Sequence, residues 1–544
     1  MKKLTALFLA ALLAFPFYSC GKDDKGSGAN HMYDVPLSGN PQSLDPQFAN
    51  DSSSNTVIKN LYSGLVSAGE NGNISCCNAE SYTISSDNLT YTFVLRKDNY
   101  WFFDTNGDDV IGNDEYFPVT AQDYVFALQR VLDPKMQSPF TSDFMCIKNG
   151  SKIIKGEAEP ESAGISAPDD YTLEITLEYP CAEFLGMLST AAAFPCNREF
   201  FNSTKGRYGL DDKSVMSNGA FYVRQWFFDP YGSHNILYMR RNEINKNEQF
   251  QILPTYVSFT IQDSESDIRK LFKEEKIECF STLSNSYSKK KYSVKSSSAI
   301  TLGLIFNPDD KYFSNVNLRK ALAYSIDYSS LSERIGDDTE TAAGIVPPAV
   351  KVAGRSYREL SSDSQFSLYD PEQAKKYLQD AKSELNIGSV ESVKILVNAE
   401  TADSGDLHIL SQSWQEKLGI YIGIEDVTAA EFDKRISDGD YSIALYPLKG
   451  DIGSGLSVID QFEKTDCLKK IIGDSSFTET ILKCGDIQSL VDTYTSIEKT
   501  ILSTFGFIPV FYKNAYLVSS RDNESLIYDP FTGAIDYRLA QNYS

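Results

Sequence analysis

Helix patterns and strand patterns alternate along this chain, and this alternation constrains its fold more than any other feature. In YDPEQAKKYLQDA, Asp370 stands at a helix N-cap and Pro371 at the first helical position, and the apolar residues that follow recur on one face. The stretches DYTLEITLEYP and VKILVNAE alternate or run apolar as strands do. The chain therefore predicts an α/β or mixed α+β fold, without the internal repeat of a solenoid.

Length and charge narrow the possibilities further. The 544 residues exceed the size at which one hydrophobic core stops growing, so we expect two or three lobes. Lys and Arg number 51 against 74 Asp and Glu, which makes a formal net charge of -23, and no basic stripe offsets it. A nucleic-acid partner is therefore not expected.

The first 20 residues predict export. MKKLTALFLAALLAFPFYSC has two early lysines, an apolar run from Leu4 to Phe15 and a small residue before Cys20, an order that resembles a bacterial lipobox. The run is shorter than the roughly 20 residues of a spanning helix. We expect residues 1–20 to be a lipoprotein signal peptide, Cys20 to carry the lipid and residues 21–32 to be a flexible tether. The alternative is an ordinary secretory signal. The mature protein would lie outside the cytoplasm, on the outer face of the cytoplasmic membrane or in the periplasm.

Eight cysteines follow Cys20 and would lie outside the reducing cytosol, where disulfides persist. The pairs that are near one another in sequence are Cys181 with Cys196 and Cys467 with Cys484. Spacing alone leaves the connectivity open.

Seven segments follow one another in a characteristic order. They are SLDPQFANDSSSNTVIKNLYSGLV, LTYTFVLRKDNYW with PVTAQDYVFALQRVLDP, SNGAFYVRQW, GLIFNPDDKYFSNVNLRKALAYSID, YDPEQAKKYLQDA, WQEKLGIYIGIEDVTAAEFDKRI and IPVFYKNAYLV. Together they resemble family 5 extracellular solute-binding proteins, the oligopeptide- and dipeptide-binding lipoproteins that serve ABC importers. The resemblance covers nearly the whole mature chain.

This resemblance implies a type II periplasmic-binding-protein clamshell, built from two lobes and an inserted extra domain. Lobe I would combine residues 33–62, 179–300 and 513–544, the extra domain would be residues 63–178, and lobe II would be residues 301–512. A peptide bound between the lobes would favour their closure, since it contacts both. A membrane permease would then recognise the closed monomer.

The resemblance also implies a residue for the ligand. Family members hold the α-amino group of a peptide with an acidic side chain, and this position corresponds to Asp451 in PLKGDIGSG, next to Leu448, Lys449 and Gly450. Read from the residues alone, Asp451 is an ordinary loop aspartate between glycines.

Three departures from the family pattern leave the ligand open. Leu448 stands where an aromatic residue is usual, Pro447 removes a main-chain donor nearby, and Leu445 stands where some members have a basic residue. A shorter peptide, another solute such as a sugar or metal chelate, or a sensing role is therefore the alternative to oligopeptide import.

The segment DTNGDDVIGNDE has the spacing of a calcium loop, with oxygen ligands at positions 1, 3, 5, 7 and 12. The predicted ligands are Asp104, Asn106, Asp108, the carbonyl of Val110 and Glu115. Position 6, usually glycine, is Asp109. A structural calcium ion here would join a strand to a helix in the extra domain, and a solvated acidic hairpin is the alternative.

An enzyme is the most distant alternative. The three histidines, His31, His234 and His408, are far apart and form no HExxH motif, and no GxSxG motif occurs. A secreted hydrolase stabilised by calcium would need catalytic residues that the sequence does not single out, so none is predicted.

Overall fold

The computed structural model describes residues 32–541 except 71, 109–110, 230–234, 246–250, 263, 285, 362–367, 403, 522 and 524. The signal peptide, Cys20 and most of the tether lie outside the described residues. Within the described part of the chain, no helix combines the length and the apolar composition needed to cross a membrane.

A four-stranded sheet forms the centre of lobe I. Its spatial order is Met32–Leu37, Tyr256–Ile261, Ile236–Arg241 and Phe221–Phe227, with the first pair parallel and the others antiparallel. The first strand alternates buried and less buried residues, as a strand with one face on a core must. The helix Ser52–Leu61 contacts this sheet and is capped by Asp51, which accepts from the backbone N–H of Ser54 at 2.9 Å.

The extra domain contains a second, antiparallel sheet. Its order is Ala79–Ile84, Thr90–Leu95, Thr172–Thr176 and Ile165–Asp169. The helix Ala121–Leu132 packs on it and ends before Pro134, and Asp123 accepts from the backbone N–H of Thr120 at 2.8 Å. Thr120 and Asp123 thus form a capping box at the start of this helix.

A mixed seven-stranded sheet forms lobe II. The order is Cys279–Thr282, Phe507–Ser519, Ser293–Phe306, Ile443–Lys449, Val393–Asn398 and Ile422–Val427, and Thr339–Thr341 pairs with Phe507–Ser519. The longer helices of this region are Pro371–Leu385, Ser404–Leu418, Ala429–Asp438 and Ile487–Ser503. Asp370 accepts from the backbone N–H groups of Glu372 and Gln373, as its predicted capping position requires.

Two long strands connect the lobes. Ser293–Phe306 and Phe507–Ser519 pair along most of their length, with register breaks near Ser298 and Leu302. At one end of this pair, Phe507–Ser519 also pairs with Cys279–Thr282. At the other end, Ser293–Phe306 also pairs with Ile443–Lys449. The boundaries expected at residues 301 and 512 fall inside these strands, where Thr301 and Tyr512 are register partners.

Shorter elements complete the described structure. The strands are Val66–Ala68, Ile74–Cys76, Tyr100–Phe102, Tyr116–Pro118, Lys351–Val352, Arg355–Ser356, Ile527–Tyr528 and Ile535–Asp536. The α-helices are Gly150–Ile154, Phe184–Leu188, Arg198–Ser203, Glu265–Lys273, Val316–Tyr324, Tyr328–Ser332, Tyr357–Leu360, Gly455–Ile459, Gln461–Lys464, Asp466–Ile472 and Phe477–Leu482. The 3-10 turns are Pro134–Met136, Thr141–Phe144, Pro160–Ser162 and Ala191–Ala193.

Candidate ligand site between the lobes

A cavity of about 780 Å³ lies between the three parts of the protein. Its lining combines Asn55 of lobe I, Asp143 of the extra domain, Ser296 of a connecting strand and Asp451 of lobe II. Ligand sites of proteins are commonly clefts of this size between lobes, with a few polar groups that converge on the ligand. This cavity is therefore the candidate ligand site.

The strand Ile443–Lys449 ends at the cavity and brings three of the four predicted ligand residues to it. Lys449, Gly450 and Asp451 line the cavity. Asp451 is exposed to the solvent of the cavity. A Cβ atom at Gly450 would collide with the hydroxyl of Ser457, so glycine is what allows this loop to pack closely.

Leu448, the fourth predicted residue, is placed differently. Its side chain is 1% exposed and lies in the core of lobe II, and it is absent from the cavity lining. Side chains of a strand point alternately to its two faces, so a residue next to Lys449 faces away from the cavity when Lys449 faces toward it.

Three carboxylates surround one lysine at the acidic wall of the cavity. Lys464 donates to Asp460 at 2.6 Å and to Asp143 of the extra domain at 3.5 Å. Burial raises the pKa of Asp460 to about 7 although Lys464 opposes the shift, and Asp143 and Asp451 add to the shift. Burial also raises the pKa of Asp143 and that of Asp451, and Lys464 opposes both shifts. One lysine thus only partly compensates three acids, which leaves this wall favourable to a cation.

A second contact joins lobe I to lobe II. The hydroxyl of Tyr494 donates to Oε1 of Glu183 at 2.8 Å, and the same hydroxyl accepts from the backbone N–H of Leu456 at 2.9 Å. Burial raises the pKa of Glu183, while hydrogen bonds from Ser454 and Tyr494 lower it. Glu183 and Ser454 both line the cavity. The acidic wall therefore extends from lobe II across to lobe I.

Further bonds hold lobe II against the other parts of the protein. Besides the Lys464 and Tyr494 bonds, the backbone N–H of Ala182 in lobe I donates to the carbonyl of Cys484 in lobe II at 2.7 Å. Such bonds can form only when the lobes are close together. The structure is therefore that of a closed clamshell.

Lysines occupy other parts of the cavity wall. Lys295, on a connecting strand, donates to Glu70 of the extra domain at 2.5 Å and to the carbonyl of Leu526 at 2.7 Å. Lys59 and Lys351 also line the cavity. Carboxylates and ammonium groups are thus both available to a ligand that carries both kinds of charge.

The family of the chain follows from its sequence. A sequence model described as bacterial extracellular solute-binding proteins, family 5 Middle, matches residues 77–467, more than half of the chain. The chain belongs to this family. It is 23% identical to the dipeptide-binding protein DppE of Bacillus subtilis over 570 aligned residues, which cover 99% of each chain.

Solved structures show that this family 5 protein has the type II clamshell fold with an extra domain, as expected. It matches Listeria monocytogenes OppA bound to peptide with a TM-score of 0.70 at 22% identity, covering 94% of this chain and 99% of the other. The match with the unliganded open form of the murein tripeptide-binding protein MppA has a TM-score of 0.62 at 21% identity, covering 93% and 95%.

The predicted calcium loop has a different internal geometry from that of an occupied site. Glu115, which is 4% exposed, accepts from the backbone N–H groups of Thr105 and Gly112, each at 2.9 Å. These bonds lower the pKa of Glu115. Asp104 accepts from the backbone of Gly107 at 2.7 Å, and its other carboxylate oxygen is buried without a hydrogen bond.

The remaining predicted ligands do not complete a site as they are placed. Asn106 and Asp108 hydrogen-bond to each other, and Val110 lies outside the described residues. Among the residues that the structure describes, no group of three His, Cys, Asp or Glu side chains could hold a metal ion. The described side chains do not fit calcium in this arrangement, because Glu115 would first have to turn from the loop N–H groups. Calcium binding stays a prediction.

Several residues at the cavity were not found from the sequence. Asp143, Glu183, Asp460 and Lys464 come from separate segments, and none belongs to a local motif. The structure also joins neither of the two cysteine pairs suggested by sequence, since it describes all eight cysteines after Cys20 without a disulfide. Local spacing carries no signal for such long-range neighbours.

Proposed function

We propose that this protein captures short peptides between its lobes and delivers them to the permease of an ABC importer. The observation that carries the proposal is the cavity of about 780 Å³ between the lobes, with Asp451 of lobe II and Asp143 of the extra domain together at its acidic wall, in a family 5 protein. The name of the Bacillus relative and the peptide in the Listeria structure support this ligand class.

The acidic wall matches the α-amino group of a peptide. An ammonium group near Asp451 would make a charge-assisted hydrogen bond, and a peptide that fills the cavity would displace the solvent around this bond and strengthen it. Asp143 and Asp460 would add to the attraction, because Lys464 only partly compensates their charge. Lysines elsewhere in the lining are available to the carboxylate end.

A peptide main chain has a strand to pair with. Val393–Asn398 pairs with Ile443–Lys449 only as far as Leu445 in the described register. The residues from Tyr446 to Lys449 approach the cavity beyond that pairing. A bound peptide would extend the sheet there, which explains how side chains of many kinds could be accepted.

Closure connects binding to delivery. The Lys464–Asp143 and Tyr494–Glu183 bonds exist only when the lobes meet, so a ligand that contacts both lobes favours the same closed state. The permease would recognise that state. A lipid on Cys20 would hold the monomeric protein at the membrane, and its role is that of a binding protein without catalytic chemistry of its own.

The test is to identify what the protein carries. The chain from residue 21 onward, exported without the lipid and purified gently, should release a series of short peptides when native complexes are denatured in a mass spectrometer. A single defined sugar or metal chelate would instead support the non-peptide alternative. If the protein is empty, free and N-acetylated tripeptides are titrated by calorimetry, and binding of neither would refute peptide capture.

A further inference from the structure

Two buried thiols meet where the extra domain joins lobe I. Cys146 is fully buried and Cys181 is 3% exposed, and the two side chains are in hydrogen-bonding contact. Cys146 follows the turn Thr141–Phe144 of the extra domain, and Cys181 precedes the helix Phe184–Leu188 of lobe I. The pair thus connects two segments that are distant in sequence.

The backbone holds these segments together independently of the thiols. Ile147 and Leu177 form an antiparallel bridge, and the N–H of Glu178 donates to the carbonyl of Cys146 at 2.8 Å. Both cysteines also belong to the same apolar core. Their proximity therefore follows from the fold, and such proximity of the backbone is what a disulfide requires.

We propose that Cys146 and Cys181 form a disulfide when the protein is exported, and that this bond fixes one wall of the ligand cavity. The two thiols would lose two protons and two electrons to a protein or small-molecule disulfide. That oxidant would be reduced to two thiols through a mixed disulfide. Proteins of this extracellular family fold where such oxidants are present.

Burial determines when the reaction takes place. The thiolate is the attacking species, and the hydrogen bond to Cys181 together with burial raises the pKa of Cys146 in the folded protein. Exchange is therefore slow once the core has formed. The bond forms while the chain folds, and it is afterwards shielded from soluble reductants.

The position of the pair gives the bond a functional consequence. Asp143 lies three residues before Cys146, and Glu183 lies two residues after Cys181, and both acids line the cavity. A covalent link between the two segments would hold these carboxylates at a fixed separation. The bond would thereby preorganise the acidic wall across two domains.

A third cysteine, Cys484, is an alternative partner for Cys181. The carbonyl of Cys484 in lobe II accepts from the N–H of Ala182, so this residue is adjacent to Cys181. A bond between Cys181 and Cys484 would tie lobe I to lobe II and oppose opening. The sulfur of Cys484, however, already lies 3.2 Å from the hydroxyl of Thr493 within lobe II, which favours Cys146 as the partner of Cys181.

The test is a peptide map of the exported full-length mature protein, with free thiols alkylated during unfolding and without reduction. We expect a linked peptide that contains Cys146 and Cys181, two hydrogens lighter than its reduced parts. Recovery of both cysteines in alkylated form, or a Cys181–Cys484 link, would overturn the proposal. The map needs no variant and does not depend on the ligand.

The consequence for the cavity is tested with Cys146→Ser, and Cys467→Ser serves as the control because Cys467 is a buried thiol within lobe II. We expect several-fold weaker binding of free-amino tripeptides to Cys146→Ser and unchanged binding to the control. Equal affinities of the two variants would overturn the preorganising role. If Cys146→Ser does not fold, Cys181→Ser gives the same comparison, because it removes the same bond from its other end.

Discussion

The side-chain nitrogen of Lys464 in lobe II lies 3.5 Å from Asp143 of the extra domain and 2.6 Å from Asp460 of its own helix region. One cation therefore links two parts of the protein that separate when the clamshell opens. Because Asp460 is almost fully buried and Lys464 is about one third exposed, the contact is stronger than a surface pair and weaker than a fully buried one.

Replacing this lysine should favour the open state. We expect Lys464→Gln to lower the free energy of unfolding by about 1 to 2 kcal/mol, since Asp460 and Asp143 lose their counter-ion. Small-angle scattering without ligand should show a larger radius of gyration. The control is Lys434→Gln, whose pair with Asp438 is exposed to solvent and should contribute little. Equal effects of both substitutions would contradict the role of Lys464 in closure.

Asp451 should discriminate among peptides by their amino terminus. Asp451→Ala is expected to weaken binding of free-amino peptides by about 2 kcal/mol or more, because a charge-assisted bond in the cavity is lost. Binding of the same peptides after N-acetylation should be unaffected. Calorimetric titration of matched free and acetylated tripeptides measures the difference. A similar loss for both would exclude Asp451 as the partner of the amino group.

The acidic wall should make stability depend on pH through Asp460. The pKa of Asp460 is raised to about 7 in the folded state, so the protonated form is favoured by folding. Its contribution to stability is present below about pH 4 and is lost as the pH rises to about 7.

The measurement compares wild type with Asp460→Asn, which has no proton to lose. The free energy of unfolding of the variant relative to wild type should increase from pH 4 to pH 7, by on the order of 4 kcal/mol, and then level off. Asp143, Asp451 and Lys464 face the same group and are unchanged in the variant. A difference that is constant with pH would contradict the assignment.

The loop at Glu115 allows calcium-dependent and calcium-independent stabilisation to be separated. In calcium-free buffer, Glu115→Gln should lower the free energy of unfolding by about 1 kcal/mol, because the amide accepts fewer bonds from Thr105 and Gly112. If calcium binds, the melting temperature of wild type should rise when calcium is added. The difference in melting temperature between wild type and Glu115→Gln should then increase. Glu80→Gln, an exposed acid of the same domain, is the control. If calcium leaves this difference in melting temperature unchanged, hydrogen bonds alone stabilise the loop.

Local elements were predictable because their determinants are contiguous. The helix Ala121–Leu132 begins after Thr120, the helix Pro371–Leu385 begins after Asp370, and the strand Val393–Asn398 follows its apolar run. Backbone N–H groups at a helix start need a cap within a few residues, so this information lies within each segment. The order of such segments also sufficed for the resemblance to family 5.

Neighbours across the fold were not predictable in the same way. Alternation along a strand separates Leu448, which is buried, from Lys449, which faces the cavity, and the sequence does not say which of the two faces is buried.

The sequence by itself determined the elements, the fold class and the family, since capping and periodicity act over a few residues. The tertiary structure alone decided that Asp143 meets Lys464, that Cys146 meets Cys181 and that Glu115 turns to its own loop. These contacts join positions tens to hundreds of residues apart, or depend on which of several donors a side chain reaches. They arise only when packing of the core brings the segments together.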